Sequence, residues 1–166
     1  MKTVSCEVKV TFRAPLRFVY SWCTDYQPSD SKLEKEEYVR KIIERTPRRV
    51  IFEDLQEMRD GWSLQRAVIM LHPPNRWHMD NVGNRRDVRA DYVLSSLPGN
   101  RTQLRLRWKV WPKTAAASKL TRAERERSVA SFWRRFAAAL KKNYKRSNIT
   151  AGHVSGTARA RSTRAR

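Results

Sequence analysis

The chain has 166 residues, of which 40% are hydrophobic and 31% are charged, which suffices for one domain with a buried core that needs neither disulfide bonds nor metal ions. Lys and Arg number 36 against 16 Asp and Glu, so the formal net charge is +20 at pH 7. No apolar run approaches the ~20 residues of a membrane-spanning helix, which excludes a helical membrane span, whereas the charge favours a polyanionic partner such as nucleic acid.

The two cysteines and the N-terminal segment bear on the cellular compartment. Cys6 and Cys23 fit no metal or redox spacing, and two free, buried thiols are typical of a reducing compartment. The first ten residues, MKTVSCEVKV, alternate between polar and apolar side chains instead of forming the apolar segment of a signal peptide. We therefore expect a cytoplasmic protein.

The first 36 residues predict one strand and one short helix. Residues 6–12, CEVKVTF, alternate apolar and polar side chains with the period of a half-buried strand. Pro15 is a favoured first-turn residue, and apolar residues recur at helical spacing from there to Cys23. The polar residues 27–36 predict a loop, or a loop with one helical turn.

Residues 37–111 predict six consecutive strands joined by short turns. The turns are marked by Thr46-Pro47, Asp60-Gly61, Pro73-Pro74, Gly83-Asn84 and Pro98-Gly99-Asn100. Because short turns join neighbouring antiparallel strands, the six strands form a meander. With the strand at residues 6–12, the predicted sheet has seven strands.

The C-terminal part of the chain predicts a long helix followed by a basic tail. After a linker of small residues at 113–119, Thr121 and Glu124 have the spacing of a capping box. A wide apolar stripe follows at helical spacing, as expected for a helix that lies on a sheet, and the helix is predicted to end near Lys145. Residues 147–166 are small, polar and Arg-rich, and we expect them to be disordered unless bound.

The order of the predicted elements, β-α-β6-α, resembles that of the START-like, Bet v 1-like and polyketide cyclase-like (SRPBCC) helix-grip superfamily. At the first strand-to-helix junction, Ala14, Pro15, Phe18, Tyr20 and Asp25 match residues that many members carry there. The similarity covers roughly residues 2–146, which we take as the folded domain. It implies an α+β helix-grip fold, in which a curved seven-stranded antiparallel sheet wraps around the long C-terminal helix.

The resemblance also implies an apolar cavity between the sheet and the helix. Members of the superfamily bind lipids, sterols, polyketides or plant hormones there, and some catalyse cyclisations. Strand and helix periodicity direct five large side chains of this chain toward that cavity, namely Trp77, Met79, Tyr92, Trp108 and Phe136.

The sequence contains little that predicts catalysis. It has no Gly-rich phosphate loop and no Ser nucleophile elbow. His72 and His78 lack a carboxylate or Cys at metal-ligand spacing, and Asp25 is better explained as a residue that orders the loop after the short helix. We expect no catalytic residues, no metal and no cofactor; if the chain is an enzyme, the resemblance implies a polyketide cyclase-like activity.

The alternation of WSLQRAVIML leaves the orientation of Arg66 open. Facing the cavity, Arg66 would bind a carboxylate ligand. Because arginine is rarely buried without a partner, we expect it on the solvent-exposed face instead.

Basic residues remain on surfaces that the predicted core does not use. On the outer face of the sheet we expect a row of Lys9, Arg89, Arg105, Arg107 and Lys109, which Glu7 and Asp91 partly neutralise. Nine basic residues of the C-terminal helix are predicted to lie off its apolar stripe, namely Arg122, Arg125, Arg127, Arg134, Arg135, Lys141, Lys142, Lys145 and Arg146. The tail adds Arg159, Arg161, Arg164 and Arg166.

These cations favour a non-catalytic domain that binds structured RNA through its backbone phosphates. In a more specific form of this hypothesis, the RNA is ribosomal RNA. The contacts would come from the sheet row, the helix residues from Arg134 to Arg146 and the tail. No RNA-recognition, KH, zinc-finger or helix-turn-helix motif predicts base-specific readout. The alternative is a carrier or sensor of an apolar small molecule, lipid-like or polyketide-like, in the cavity.

Overall fold

The computed structural model describes the backbone of residues 2–34 and 37–160, and the side chains of residues 2–33 and 37–147. Within these residues, one strand and a short helix precede six consecutive strands and a long helix, which is the predicted order, and two further short helices are present. In chain order the elements are β1 (Val4–Phe12), α1 (Leu16–Cys23), α2 (Asp30–Glu34), β2 (Tyr38–Arg45), β3 (Arg49–Met58), β4 (Gly61–His72), β5 (Arg76–Gly83), β6 (Arg86–Leu97), β7 (Arg101–Pro112), α3 (Ala115–Lys119) and α4 (Arg122–Ala160).

The seven strands form one antiparallel sheet in the order β1-β7-β6-β5-β4-β3-β2. Strands β2 to β7 are the predicted meander, since each pairs with the next, and β1 joins beside β7. At the turn into β4, Gly61 has φ +113°, a conformation that glycine adopts at little cost. The α+β architecture expected from the sequence is confirmed.

The core lies between the inner face of the sheet and the helices α1 and α4. Phe12, Ile69, Leu94 and Leu104 of the sheet have no exposed surface, and neither has Leu140 of α4. Burial of such a side chain stabilises the fold by about 1.5–3 kcal/mol. The apolar stripe predicted on the C-terminal helix therefore packs against the sheet, as expected.

Both cysteines are free and buried, as predicted. Burial raises the pKa of the Cys6 thiol and, more strongly, that of the Cys23 thiol. Because the thiolate is the reactive form, both side chains behave as small apolar residues of the core.

The first turn of α4 is attached to the edge strand β1. The capping box is formed: the Thr121 backbone N–H donates to Glu124 Oε2 at 2.8 Å, and the Glu124 N–H donates to Thr121 Oγ1 at 3.2 Å. Two residues after Glu124, Glu126 Oε1 accepts a hydrogen bond from the Glu7 backbone N–H of β1 at 2.9 Å. The close backbone contacts of α4 are accordingly concentrated on β1, with fewer to α2 and α1.

Helix α4 continues to Ala160 and is longer than the sequence predicted. Its end was expected near Lys145 because apolar periodicity reports only the packed part of a helix, whereas helical backbone hydrogen bonds do not require packing. The predicted division between domain and tail at residue 146 falls inside α4 and stays a prediction. Neither α4 nor any other described helix is both long and apolar enough to cross a membrane.

Candidate functional site

The inner face of the sheet holds the side chains that the sequence directed toward a cavity. Trp77, Tyr92 and Trp108 are 2%, 8% and 7% exposed, and Phe136 of α4 is 8% exposed. Met79 is only partly buried against the same core. All five side chains point inward, as expected. Four of them are almost completely buried, whereas Met79 keeps more exposed surface.

Four aromatic side chains form a packed cluster between the sheet and α4. Trp77 and Tyr92 stack with their ring centroids 4.7 Å apart, and Tyr92 meets Trp133 edge to face at 6.0 Å. Trp133 in turn contacts Phe136 at 5.6 Å. Each of these rings buries a large area, so this aromatic cluster (Trp77, Tyr92, Trp133 and Phe136) fills one part of the interior as core.

Beyond the aromatic cluster, the inner face of the sheet keeps accessible surface. Met79 on β5 lies between Ile69 and Ala90 of the neighbouring strands, which are 0% and 1% exposed, yet Met79 itself is only partly buried. Val88 on β6, further along the same face, is also partly buried. The inner face of the sheet is therefore not completely covered at Met79 and Val88.

A buried arginine lies on the inner face of β2. The Arg40 side chain is 6% exposed, and its Nε and Nη2 donate to the two carboxylate oxygens of Asp54 at 2.8 and 2.9 Å. Its Nη1 donates to Asp30 of α2 at 3.0 Å, and the guanidinium lies 4.0 Å from the ring centroid of Phe52. Two carboxylates thus neutralise one buried cation, which ties α2 to the sheet.

The hydrogen bonds continue from Asp54 across the next two strands. Gln65 Nε2 of β4 donates to Asp54 Oδ2 at 3.2 Å, and Asn81 Nδ2 of β5 donates to Gln65 Oε1 at 3.0 Å. We call Arg40, Asp54, Gln65 and Asn81 the polar row. Asn81 is 9% exposed, and its Oδ1 is buried with no hydrogen-bond partner among the residues that the structure describes.

Asp30 is expected to change the stability of the protein between about pH 4 and pH 6. Burial raises the pKa of Asp30 to about 6, and the charges of Asp25 and Asp54 add to the shift, while Arg40 opposes it. The folded state therefore holds this proton more tightly than the unfolded state, so the contribution to stability is complete below the ordinary pKa of 3.8 and is lost as pH rises through about 6.

The check is the free energy of unfolding of wild type and Asp30→Asn, measured by urea denaturation from pH 3.5 to 7. The substitution should remove this component of the pH dependence, because the amide does not titrate. A wild-type carboxyl ¹³C titration midpoint for Asp30 below pH 4 would contradict the assignment.

Arg66 lies on the outer face of the sheet, as the sequence favoured. Its side chain is 62% exposed, and its Nε donates to Glu53 at 2.9 Å. Arg40, which the sequence did not single out, is the arginine that is buried on the inner face of the sheet instead.

The predicted row of cations does lie on the outer face of the sheet, where Lys9 is opposite Arg105 and Arg89 is opposite Lys109. Acidic side chains neutralise it further than the sequence indicated. Arg105 and Arg107 both donate to Glu7, at 2.9 and 2.8 Å. Arg89 donates to Asp80 at 2.7 Å.

An open groove of about 430 Å³ includes several side chains of this row in its lining. Its lining comes from β1, β6, β7 and the start of α4, and consists of Ser5, Cys6, Glu7, Arg89, Asp91, Arg107, Trp108, Lys109, Trp111 and Arg122. Charges of both signs meet in it, so it is not a uniformly cationic surface.

The basic residues of α4 are exposed or half-buried, with one exception. Arg134, Lys142, Lys145 and Arg146 are exposed, and Arg135 and Lys141 are half-buried. The prediction was wrong for Arg125, which is 5% exposed and donates to the Ala117 carbonyl of α3. Arg125 lies one turn before Val129 and so extends the packed stripe. The side chain of Arg159 and the residues Arg161, Arg164 and Arg166 lie outside what the structure describes.

Glu7 is expected to titrate far below the usual range of a glutamate. Hydrogen bonds from Arg105 and Arg107 lower its pKa from 4.5 to about 2. Its contribution to stability is therefore complete above pH 4.5 and is lost as pH falls through about 2. A ¹³C-carboxyl NMR titration should give a midpoint of about 2, and Arg105→Gln should raise it.

Lys9→Gln is the control for this titration, since it removes a cation of the same row that makes no ion pair with Glu7 among the described contacts. It should move the midpoint much less than Arg105→Gln does. A wild-type midpoint near 4.5 would show that the two arginines do not hold Glu7.

The chain shares its fold with solved structures of low sequence similarity. No protein-family model matches it, and no curated protein is significantly similar in sequence. It superposes on the protein TTHA0849 from Thermus thermophilus with a TM-score of 0.71 and 13% identity, covering 84% of this chain and 99% of that one. For a START superfamily protein from Mycobacterium smegmatis the TM-score is 0.61 with 13% identity, covering 86% and 97%.

The Zhui aromatase/cyclase from Streptomyces sp. R1128 is also similar, with a TM-score of 0.57 and 16% identity over 86% of this chain and 90% of that one. At such identities the likeness establishes the fold alone. The chain therefore has the helix-grip fold, a seven-stranded antiparallel sheet with a long C-terminal helix, and the resemblance expected from its sequence is confirmed at that level.

Proposed function

We propose that the chain carries an apolar small molecule, lipid-like or polyketide-like, between the sheet and α4. The observation that supports this most is the accessible surface that Met79 and Val88 keep on the inner face of the sheet. Structural similarity to an aromatase/cyclase and to a START superfamily protein adds support. An apolar molecule in this space would cover surface that the aromatic cluster leaves open.

RNA binding has less support than small-molecule binding. Glu7 and Asp80 form ion pairs with three of the cations in the outer row, and the similarities to an aromatase/cyclase and to a START superfamily protein favour a small-molecule ligand. The RNA hypothesis remains a prediction, and the experiment below separates it from the carrier function.

The test is native mass spectrometry of the full chain purified from cells at low salt, with the absorbance ratio at 260 and 280 nm recorded in parallel. We expect one apolar molecule per chain and an absorbance ratio typical of protein. Met79→Trp should displace the molecule, because the larger ring takes the open space beside Val88.

Met70→Trp is the matched control for this substitution. Met70 also lies on the central part of the sheet, but its side chain points to the outer face and is 37% exposed. This variant should keep the ligand. Protein that carries no small molecule but has a 260/280 ratio well above 1, lost at high salt, would replace the carrier function with RNA binding.

A further inference from the structure

The open groove of about 430 Å³ at β1, β6, β7 and the start of α4 has an excess of positive charge. Four basic and two acidic side chains contribute to its lining, which gives the lining a formal charge of +2. Both acids already have partners: Glu7 accepts hydrogen bonds from Arg105 and Arg107, and Asp91 Oδ1 lies 2.7 Å from His78 Nδ1. The groove therefore favours an anionic ligand over a cationic one.

Two cations and a hydroxyl group lie side by side in this groove. Lys109 of β7 is directly opposite Ser5 of β1 on one side and Arg89 of β6 on the other. Directly opposite side chains of neighbouring strands point to the same face of a sheet, with their Cβ atoms about 4.5–5.5 Å apart. All three side chains are exposed, and we call them the donor row. Their ammonium, guanidinium and hydroxyl groups are donors of the kind that bind phosphate oxygens.

The cations of the groove keep N–H donors that no described contact uses. Lys109 has no ion pair or hydrogen bond among the residues that the structure describes. The described contact of Arg89 with Asp80 uses only its Nε, and that of Arg122 with Glu126 likewise uses only Nε. Each guanidinium group has further N–H donors. The two arginine side chains are 61% and 65% exposed, so these ion pairs are weak and can be shared with a bound anion.

An exposed tryptophan lies beside the donor row. Trp111 follows Lys109 by two residues on β7, so its ring stands on the same face about 7 Å further along the strand. It belongs to the lining of the groove and is 37% exposed. The acids Glu7 and Asp91 lie in the opposite direction, since both are opposite Arg107. A planar ring that extends from the donor row toward Trp111 therefore moves away from the acids and can stack on the indole.

We infer that the open groove binds a phosphate monoester carried by a planar aromatic group, as in a nucleoside monophosphate. The phosphate accepts hydrogen bonds from the donor row, and the aromatic group stacks on Trp111. A phosphate monoester carries about −1.5 to −2 charges at pH 7, which matches the charge of the lining. A nucleoside spans the two contacts because a sugar separates its phosphate from its base. The site uses the outer face of the sheet and is independent of the carrier function, which uses the inner face.

The test compares AMP with its two parts. Isothermal titration calorimetry at pH 7 and low salt measures the binding of AMP, adenosine and inorganic phosphate to the full chain. We expect AMP to bind at least about tenfold more tightly than either part, because only AMP makes both contacts. Adenosine or phosphate that binds as tightly as AMP would overturn the inference, and so would the absence of AMP binding.

Matched substitutions separate a site from the general attraction of a chain with a net charge of +20 for anions. Lys109→Gln should weaken AMP binding about tenfold. Lys142→Gln, which removes an exposed cation of α4, should weaken it by less than about twofold. Equal effects of these two variants would show that AMP is attracted by the overall charge alone and would overturn the inference.

A second pair of substitutions tests the aromatic contact. Trp111→Leu should weaken AMP binding at least about fivefold and leave the binding of inorganic phosphate unchanged. Trp62→Leu is its control, because Trp62 lies at the start of β4 outside the groove and is 57% exposed. It should leave AMP binding unchanged. All four substituted side chains are exposed, so the variants should fold.

The same chemical group occurs at the 5′ end of an RNA strand. A tetraadenylate with a 5′-phosphate and its 5′-hydroxyl form distinguish this source from a free nucleotide. If the phosphorylated strand binds more tightly than AMP and the hydroxyl form does not, the ligand is an RNA end; if AMP binds at least as tightly, it is a free nucleotide. Equal binding of the two strands without binding of AMP would show that the chain contacts backbone phosphates, which contradicts the inference.

Discussion

Replacing Arg40 with leucine will lower the free energy of unfolding by about 3–5 kcal/mol at pH 7. The substitution leaves Asp54, whose side chain is 5% exposed, and Asp30, which is 13% exposed, without their cation. Two carboxylates in a desolvated site repel each other and lose the hydrogen bonds that offset their burial. The loss should become smaller as pH falls and Asp30, whose pKa is about 6, binds a proton. Urea denaturation at pH 7 and pH 4.5 measures both effects.

Two further variants show whether the loss comes from the buried charges. Arg66→Leu removes an arginine that is 62% exposed and paired with Glu53 on the outer face, and it should change stability by less than about 1 kcal/mol. Combining Arg40→Leu with Asp54→Leu should recover part of the loss, because one uncompensated charge is then gone. An Arg40→Leu variant as stable as Arg66→Leu would show that the interior ion pair is not formed.

Replacing Trp133 with alanine will lower the free energy of unfolding by about 3–5 kcal/mol. Trp133 is 7% exposed and joins α4 to the sheet through ring contacts with Phe12 at 6.2 Å and Tyr92 at 6.0 Å. Its removal takes away buried apolar area and leaves a void between α4 and the sheet. Urea denaturation measures the loss, and 2-methylnaphthalene should restore stability to the variant more than to wild type, because it can occupy the void.

Trp62→Ala is the matched control for this prediction. Trp62 lies at the start of β4 and is 57% exposed, so its removal should change stability by less than about 1 kcal/mol. If both tryptophan substitutions lowered the free energy of unfolding equally, Trp133 would not be the residue that holds α4 against the sheet.

The fold was predictable from the sequence because its signals are local and repeated. Alternating apolar and polar side chains indicate β1, and turn residues indicate each connection of the meander. The capping box of Thr121 and Glu124 indicates the start of α4. Each signal depends only on neighbouring residues. The length of α4 was not predictable in this way, since the apolar stripe ends at Tyr144 while the backbone continues to Ala160.

The interior arginine was not predictable, because a bulge in β2 decides which side chains face inward. Close to the hairpin turn Glu44 pairs with Ile51, and that register, if continued, would place Lys41 opposite Asp54. A register shift just before Glu44 moves the pairing by one residue and places Arg40 there instead. A shift of one residue exchanges the two faces of a strand, and nothing in the letters YVRKIIER reports the bulge.

The charge of the outer face was predictable only in part. Composition shows the number of cations, and strand alternation shows the face on which Arg105 and Arg107 lie. Their shared pairing with Glu7 depends on the register between β1 and β7, which joins residues almost a hundred positions apart. Cation counts therefore overestimate the charge that such a surface offers to phosphate.

Methyl NMR of the chain labelled at its methionines tests most directly whether a small molecule binds between the sheet and α4. Met79 lies on the inner face, and Met70 lies on the outer face of the neighbouring strand. Titration with 2-naphthol should shift the Met79 methyl resonance in a saturable manner and leave that of Met70 in place. A saturable shift of Met70 with no change at Met79 would place the ligand on the outside of the sheet and contradict the proposed function.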